Sequence, residues 1–343
     1  MKRFILLILP FVILGCFFDI PAESDLLFTS NRDTGTERME LYAYDLETDT
    51  ITRITQTPYS HFIYGIDKSR RFMVVSRAVQ DTNGNGVIEN GDRKSLWLLD
   101  FETKEERQLV ENLGHNAEGR SFSPDGNWIV FCMQLEGETT TDVYKIHRDG
   151  LSLTNLTNTP DAVECDPEWS PDGSLIAFTA SETETEPYAR VVTKTMDPDG
   201  GSITTVIDLK DDSPGIEGYW PPGSYDPSWS PDSQWIAVEA SYEDTGGNFA
   251  SGEWHIYKTK LDDPIDLIDI SESGSHPALA AYLPSFSPDG QFLVFGAIYE
   301  DPDQPVNSFG DILIAYSEDG SDLFRVINDQ YMNAAPRWLP IAP

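Results

Sequence analysis

The stretch SFSPDGNWIVF, residues 121–131, decides the fold because close copies of it recur along the 343-residue chain. The copies are EWSPDGSLIAF at 168–178, SWSPDSQWIAV at 228–238 and SFSPDGQFLVF at 285–295, so the spacings are 47, 60 and 57 residues. Each copy has a short strand that ends in an aromatic residue, a Ser-Pro-Asp turn, and a second apolar strand. Proline presets φ at the second position of such a turn, and aspartate and glycine complete it. The repeated stretch therefore predicts a β-hairpin.

A second hairpin follows the first in each unit. Residues 143–146 lead to an Asp-Gly pair at 149–150, and residues 312–315 lead to another at 319–320. Asp-Gly between two apolar runs is a strong signal for a tight hairpin turn. Four strands per unit, at a period of about 40 to 60 residues, are typical of propeller blades.

The two ends of the chain supply the remaining strands. HFIYGIDKSRRFMVVSR at 61–77 is a degenerate unit in which Asp67 begins the turn in place of the Ser-Pro motif. LLFTS, LYAYDL and ITRIT near the N-terminus lack a first strand, and APRWLP at 335–340 is a first strand that lacks its blade. We therefore predict an all-β, six-bladed β-propeller with four-stranded antiparallel blades, in which N- and C-terminal strands close one blade and leave no exposed edge.

The Ser-Pro-Asp-Gly repeats resemble those of the TolB-like (PD40, WD40-like) propeller family over nearly all of the chain after residue 25. That family includes a periplasmic partner-binding component of the Tol-Pal system, propeller domains of oligopeptidases and polysaccharide lyases. The resemblance therefore implies the fold and leaves the function open.

The N-terminus carries a targeting signal. Met1 to Arg3 are followed by an apolar run to Leu14, and the ending Ile-Leu-Gly-Cys resembles the bacterial lipobox, which implies acylation of Cys16. The alternative is an uncleaved anchor, but the run is short for a span of about 20 residues. The expected division is a signal peptide at 1–15, a lipid-anchored linker at 16–25 and the propeller at 26–343. The expected location is the bacterial cell envelope, on the periplasmic side or the cell surface.

The net negative charge of the chain limits the classes of partner that it can bind. Without Lys2 and Arg3, 21 basic residues stand against 58 acidic ones, a formal net charge of −37. Such a surface repels phosphate, so nucleic acid is excluded as a partner, and membrane contact is expected through the lipid alone. A solvated acidic coat without any ligand is the alternative explanation. Cys132 and Cys165 are open to a disulfide in an oxidising compartment, or to remaining buried thiols.

The segment DTNGNGVIENGD, residues 81–92, matches a calcium loop. Its ligand positions are Asp81, Asn83, Asn85, Val87 through its carbonyl, Glu89 and Asp92, with glycine at position 6. Calcium needs six to eight hard oxygens, which alternating side chains supply from a short segment. The spacing resembles EF-hand and dockerin loops, although strands flank it here. A structural calcium ion is predicted, against the alternative of a polar turn without an ion.

Strand order predicts which face of the propeller binds. The Ser-Pro-Asp-Gly and Asp-Gly turns share one short face, so the longer loops gather on the other, where recognition usually resides. Two groups of candidate residues belong to this loop face. A possible channel-mouth metal site comprises His61, His115, Asp166, Asp226 and His276, and a possible partner-binding cluster comprises Tyr219, Trp220 and Tyr225. Unconnected histidines, turn-capping aspartates and aromatics that merely cover the blades are the alternatives.

No nucleophile elbow, zinc-binding helix or nucleotide-binding loop occurs in the sequence. The leading hypothesis is a non-enzymatic, monomeric scaffold that binds an envelope protein or a glycan. The rival is a metal-dependent polysaccharide lyase like the oligogalacturonate lyases of the resembled family, although the acidic surface would repel a polyuronate. A third hypothesis is a purely structural envelope protein stiffened by calcium.

Overall fold

The computed structural model describes residues 13–14, 17–34, 38–86, 88, 92–110, 116–159, 161–182, 190–209, 223–241, 254–271, 280–298 and 310–341. Within these ranges the secondary structure is β throughout. No helix in them is long and apolar enough to cross a membrane.

The strands, in chain order, are β1 (Ile13–Leu14), β2 (Leu26–Ser30), β3 (Glu40–Asp45), β4 (Thr50–Arg53), β5 (Ser60–Ile66), β6 (Phe72–Ala78), β7 (Lys94–Asp100), β8 (Glu105–Val110), β9 (Asn116–Phe122), β10 (Trp128–Gln134), β11 (Asp142–His147), β12 (Thr154–Asn155), β13 (Glu164–Trp169), β14 (Ile176–Glu182), β15 (Arg190–Met196), β16 (Thr204–Ile207), β17 (Gly223–Trp229), β18 (Trp235–Ser241), β19 (His255–Lys260), β20 (Asp263–Asp269), β21 (Ala280–Phe286), β22 (Phe292–Ile298), β23 (Asp311–Tyr316), β24 (Phe324–Ile327) and β25 (Asn333–Trp338).

The described strands form antiparallel four-stranded groups, which confirms the propeller prediction. Blade 1 has the order β25-β2-β3-β4, so the last strand of the chain pairs with the N-terminal three as expected. Blades 2 to 6 follow in sequence as β5–β8, β9–β12, β13–β16, β17–β20 and β21–β24, and one parallel bridge joins blades 4 and 5. The first strands β5, β9, β13, β17, β21 and β25 contact one another in order, and β25 contacts β5, so they enclose a central channel.

The repeated turn has a specific hydrogen-bonding role. Ser123 Oγ accepts the Trp128 N–H at 2.9 Å and donates to Asp125 at 2.5 Å, and Asp125 in turn accepts the Asn127 N–H at 3.0 Å. The Ser-x-Asp pair therefore ties the two strands of the hairpin together. In the degenerate blade 2, Asp67 does the work of the serine, because its carboxylate accepts the Phe72 N–H at 2.7 Å.

Neighbouring blades pack through apolar faces, and a disulfide bond links blades 3 and 4. The core between blades 3 and 4, for example, contains Val130, Phe178 and Val192, all buried. Cys132 in β10 and Cys165 in β13 form a disulfide across the same seam, so the sequence alternatives are resolved in favour of the bridge.

A polar pair recurs at the start of the third strand in four blades, where it joins the third strand to the fourth. The sequence repeats did not reveal these pairs, which are Glu40 with Arg53, Asp142 with Asn155, His255 with Asp269, and Asp311 with Arg325.

Candidate functional site

The first strand of each blade has a β-bulge, and these bulges shape the channel. In blades 4, 5, 6 and 1 the bulge has a non-glycine residue with left-handed φ, followed by proline: Asp166 (51°), Asp226 (51°), Leu283 (55°) and Ala335 (49°). Such φ values are uncommon outside glycine and often occur at functional positions. The bulges direct these residues out of the regular strand alternation, so Asp166 and Asp226 belong to channel strands and not to the inter-blade loops expected from the sequence.

Arg120 joins the two aspartates. It occupies the bulge of β9, where the other copies of the motif have proline, and only 3% of its side chain is exposed. Its Nη1 forms an ion pair with Asp226 and lies 3.4 Å from Asp166 Oδ1. Burial raises the pKa of Asp166, and the Arg120 charge opposes that rise. The guanidinium therefore supplies the positive charge that these two carboxylates need.

Two further carboxylates and one further guanidinium complete the channel network. Arg337 Nη2 lies 3.2 Å from Glu168 Oε2, and Glu239 accepts the Leu283 N–H at 2.7 Å. Burial, together with the nearby Asp166, raises the pKa of Glu239 from 4.5 to about 7, against the opposing effects of the Leu283 hydrogen bond and Arg120. Four carboxylates thus surround two guanidinium groups, so the network has excess negative charge when all of its members are ionised.

A small cavity adjoins this network. It is lined by residues of blades 1, 2, 3 and 6, namely Tyr64, Arg120, Leu283, Pro284, Ala335, Pro336 and Arg337, and offers about 10 Å³ to the centre of a water-sized sphere. That is about the space that one buried water requires. The cavity itself therefore has room for about one water molecule.

The structure separates the described members of the predicted channel-mouth site. His61 lies within β5, fully buried between blades 1 and 2, and its Nε2 is 2.9 Å from Thr57 Oγ1 and 4.0 Å from Glu40 Oε2. Burial and the neighbouring arginines lower the pKa of His61 well below 6.5. His61 thus belongs to a seam network, whereas Asp166 and Asp226 belong to Arg120. His115 and His276 lie outside the described residues.

Among the described residues, one group of three His, Cys, Asp or Glu side chains has ligand atoms close enough for one metal ion. It consists of Glu118, Cys132 and Cys165. Because both cysteines are joined in the disulfide, their sulfur atoms are not thiolate ligands.

Arg77 is a second buried arginine, after Arg120, and it lies near His61. It pairs with His61 across β5 and β6, its Nη1 lies 2.6 Å from Glu106, and its guanidinium stacks on Tyr59 and Trp97. Within the described part of the chain, Arg77 Nε and Nη2 and His61 Nδ1 have no hydrogen-bond partner. Arg77 thus lies between two aromatic rings beside His61, an arrangement that sequence reasoning missed.

The predicted calcium loop is closed by its terminal carboxylates. Asp81 accepts the N–H groups of Gly84 and Gly86 at 2.6 and 2.7 Å, and both glycines have left-handed φ. Asp92, at position 12, is buried and accepts the N–H of Thr82 at 2.7 Å. Each carboxylate oxygen has two lone pairs, so Asp81 can accept an amide and still face a cation. The loop thus has the carboxylate at position 1 and the left-handed glycine at position 6 that the sequence pattern predicts, whereas Asp92 Oδ1 is engaged by Thr82 and Asn83, and the bound ion stays a prediction.

Of the other four predicted ligands, the structure describes two. Asn83 and Asn85 are exposed, and Asn83 Oδ1 accepts the Asn85 N–H at 3.0 Å. Val87 and Glu89 lie outside the described residues.

The remaining predicted residues are mostly outside the described ranges as well. Cys16, Tyr219 and Trp220 are not described. Tyr225 lies in β17, partly buried, with its ring centroid 5.4 Å from that of Trp254. Burial and the nearby Asp166 raise its pKa, so Tyr225 borders the channel network and its ring packs against Trp254.

Comparison with known proteins gives the fold and no closer relationship. No protein-family model matches the chain, and no curated protein matches its sequence. Among solved structures, TolB from Acinetobacter baumannii superposes with a TM-score of 0.65 at 18% identity, over 93% of this chain and 68% of that one. An oligogalacturonate lyase from Vibrio parahaemolyticus gives 0.53 at 15% identity, over 94% and 80%. At these identities the similarity extends to the propeller architecture alone.

Proposed function

We propose that this protein is a lipid-anchored scaffold of the cell envelope that binds a protein or a glycan, without catalysis, through its loop face. The observation that carries the proposal is the network around Arg120. Its guanidinium is already paired with Asp226 and lies close to Asp166, and His61 lies in a different, buried network. The described channel residues thus stabilise the centre of the ring, which leaves recognition to the surface around it.

Lipid attachment at Cys16 is part of this proposal. Cleavage before Cys16 would remove β1, which pairs with the outer strand β8. Phe17, the next residue, is buried in the core between blades 1 and 2. Intact-mass measurement of protein extracted from membranes tests the anchor, since an acylated N-terminal cysteine gives a defined mass increase and its absence refutes it.

A structural calcium ion in the 81–92 loop is also proposed. The support is the closure of the loop by Asp81 and Asp92 at the required spacing. The ion would be held by the side chains of Asp81, Asn83, Asn85, Glu89 and Asp92 and the carbonyl of Val87, and it would stiffen the connection between β6 and β7. Asparagine in place of carboxylate at two positions lowers the ligand charge, so we expect affinity in the millimolar to submillimolar range typical of extracellular modules.

Partner binding can be tested by comparing the two faces of the propeller. A photo-crosslinking amino acid placed at Val163, which is exposed where the chain enters β13, samples the loop face. The same group at Asn127, in the turn before β10, samples the short-turn face and serves as the control. Reproducible crosslinks to one envelope component from Val163 alone support the proposal. Crosslinks from Asn127 alone, or from neither position, contradict it.

A metal-dependent lyase is the second candidate, favoured by the fold shared with an oligogalacturonate lyase. A panel of uronates with divalent cations distinguishes the two functions. Ultraviolet absorbance from an unsaturated uronate product would establish the lyase and refute the non-catalytic scaffold.

A further inference from the structure

We propose that the edge of the propeller formed by blades 1 and 2 is a membrane-facing surface, held against the lipid bilayer without a flexible tether. This inference rests on the proposed acylation of Cys16. The residues that follow Cys16 were expected to form a linker, and their packing instead fixes where the acyl chains leave the protein.

Phe17 anchors the chain directly after Cys16. Only 5% of it is exposed, and it belongs to a core that includes Leu41 and Ile54 of blade 1 and Met73 of blade 2. Its ring meets that of Phe101 edge-on at a centroid distance of 5.0 Å. Burying a phenylalanine side chain contributes roughly 1.5–3 kcal/mol, enough to hold the segment in place.

Backbone contacts with blade 1 and an ion pair with blade 2 reinforce this docking. Phe17 forms an antiparallel bridge with Thr55, and the Phe18 N–H donates to Ile54 O at 2.7 Å. Asp19 forms an ion pair with Lys104 of the β7–β8 turn. One peptide bond separates Cys16 from Phe17, so acyl chains on Cys16 must leave the protein directly at this seam.

The surface chemistry near the seam suits contact with a bilayer. The Phe18 side chain is 52% exposed beside the attachment point, and the Lys104 ammonium lies over the Phe17 ring at 5.4 Å. Aromatic rings and lysine stems are favourable at a membrane interface, where one end is apolar and the other wet.

The distribution of charge along the chain favours the same edge of the propeller as the membrane-facing one. Residues 17–110, which include blade 2 and most of blade 1, have 11 basic and 17 acidic residues, a net charge of −6. Residues 111–343 have 10 basic and 41 acidic residues, a net charge of −31. Bacterial lipid surfaces that are anionic repel negative charge over about 8–10 Å at physiological salt. The part of the molecule that repels such a surface least is therefore the part from which the lipid emerges.

These observations define an orientation. The propeller stands on its blade 1–2 edge, blade 5 lies on the far side of the ring, and both ends of the channel open sideways along the membrane. The loop face then stays clear of the bilayer and is accessible to a partner anchored in the same membrane.

Three turns between third and fourth strands provide matched positions for the test. Glu47 in blade 1, Glu102 in blade 2 and Asp262 in blade 5 are exposed residues of equivalent turns, so they differ in their place around the ring and not in height along the channel. With Cys132 and Cys165 in the disulfide and Cys16 acylated, a new cysteine is the one thiol available for labelling. The labelled full-length lipoproteins are placed in phosphatidylcholine vesicles that contain some phosphatidylglycerol and a headgroup-attached quencher.

We expect the labels in Glu47→Cys and Glu102→Cys to be quenched and the label in Asp262→Cys to keep its fluorescence. A compact chain of this length is about 50 Å across, so the far turn is beyond the reach of the quencher. A variant with a ten-residue Gly/Ser insert after Cys16, which reaches about 17 Å on average, leaves the body intact and should reduce this difference.

Equal quenching of all three labels in protein that intact mass shows to be acylated overturns the orientation and leaves the anchor standing. The orientation is also overturned if the Gly/Ser insert leaves the difference in quenching between the labels unchanged, because tight attachment at Cys16 would then not be the cause of that difference. An intact mass without acyl chains refutes the anchor itself, and the orientation with it.

Discussion

Replacement of Glu239 by glutamine should make the propeller more stable at alkaline pH and have little effect at acidic pH. Glu239 accepts the Leu283 N–H, and a glutamine oxygen can accept the same hydrogen bond. The folded protein raises the pKa of this carboxyl from 4.5 to about 7, chiefly because burial disfavours the ionised form. Ionisation therefore favours the unfolded state, so the stability of the native protein falls as pH rises from about 4.5 through 7.

The size of the effect follows from the two pKa values. With about 1.4 kcal/mol per pKa unit, the raised pKa costs about 1 kcal/mol at pH 5 and about 3 kcal/mol at pH 8. The difference in unfolding free energy between Glu239→Gln and the native protein should thus grow by about 2 kcal/mol between these pH values. Urea unfolding followed by tryptophan fluorescence measures it at each pH.

The control is Glu136→Gln, which changes an exposed carboxylate in the loop between β10 and β11. Its difference from the native protein should stay constant within about 0.5 kcal/mol over the same range, as for most surface substitutions. A constant difference for Glu239→Gln as well would refute the argument that burial in the channel holds this carboxyl partly neutral.

Three further outcomes follow from the same contacts. Arg120→Gln should lower the free energy of unfolding in urea at pH 8 by about 3 kcal/mol. That is the low end of the range for breaking a buried ion pair, because the two aspartates keep some exposure. Adding Asp226→Asn should recover part of the loss. Replacing Cys132 and Cys165 by serine should lower unfolding free energy by about 2–4 kcal/mol, given a sequence separation of 33, and make thermal unfolding insensitive to reductant. Calcium at ten times its Kd should raise the stability of the native protein by about 1.4 kcal/mol and leave Asp81→Ala unchanged, as checked by calorimetry and melting; no heat at millimolar calcium would reject the site.

Most of the architecture was predictable because it depends on local signals. The Ser-x-Asp turn is written in adjacent residues, so its four copies located four hairpins, and the closure of blade 1 by the strand at 333–338 followed from counting incomplete pieces. The degenerate turn at Asp67 was found because its flanks kept the apolar pattern. These features need only neighbours in sequence or the periodicity of a strand.

The channel network was not predictable in the same way. Arg120 was visible as a basic residue where the other copies of the motif have proline, which could have marked it, but nothing local connects it with Asp226, 106 residues later. The same limit made the histidine hypothesis unreliable. His61 and Asp166 both lie in the first strands of their blades, yet Asp166 is in the bulge and faces Arg120, while His61 precedes the bulge of its strand and is buried in the seam between blades 1 and 2.

The sequence by itself determined the strands, their turns and the antiparallel pairing within each blade, because these depend on spacing, turn chemistry and apolar alternation over a few residues. It also predicted a calcium loop from Asp81 to Asp92, because the pattern of oxygen-bearing residues is contiguous, and the bound ion stays a prediction. The tertiary structure alone decided which charges share the channel, whether Cys132 and Cys165 meet, and that Phe17 is buried in the seam between blades 1 and 2. Ring closure brings residues from distant blades within a few ångströms, and the burial that follows sets their pairing and their pKa values.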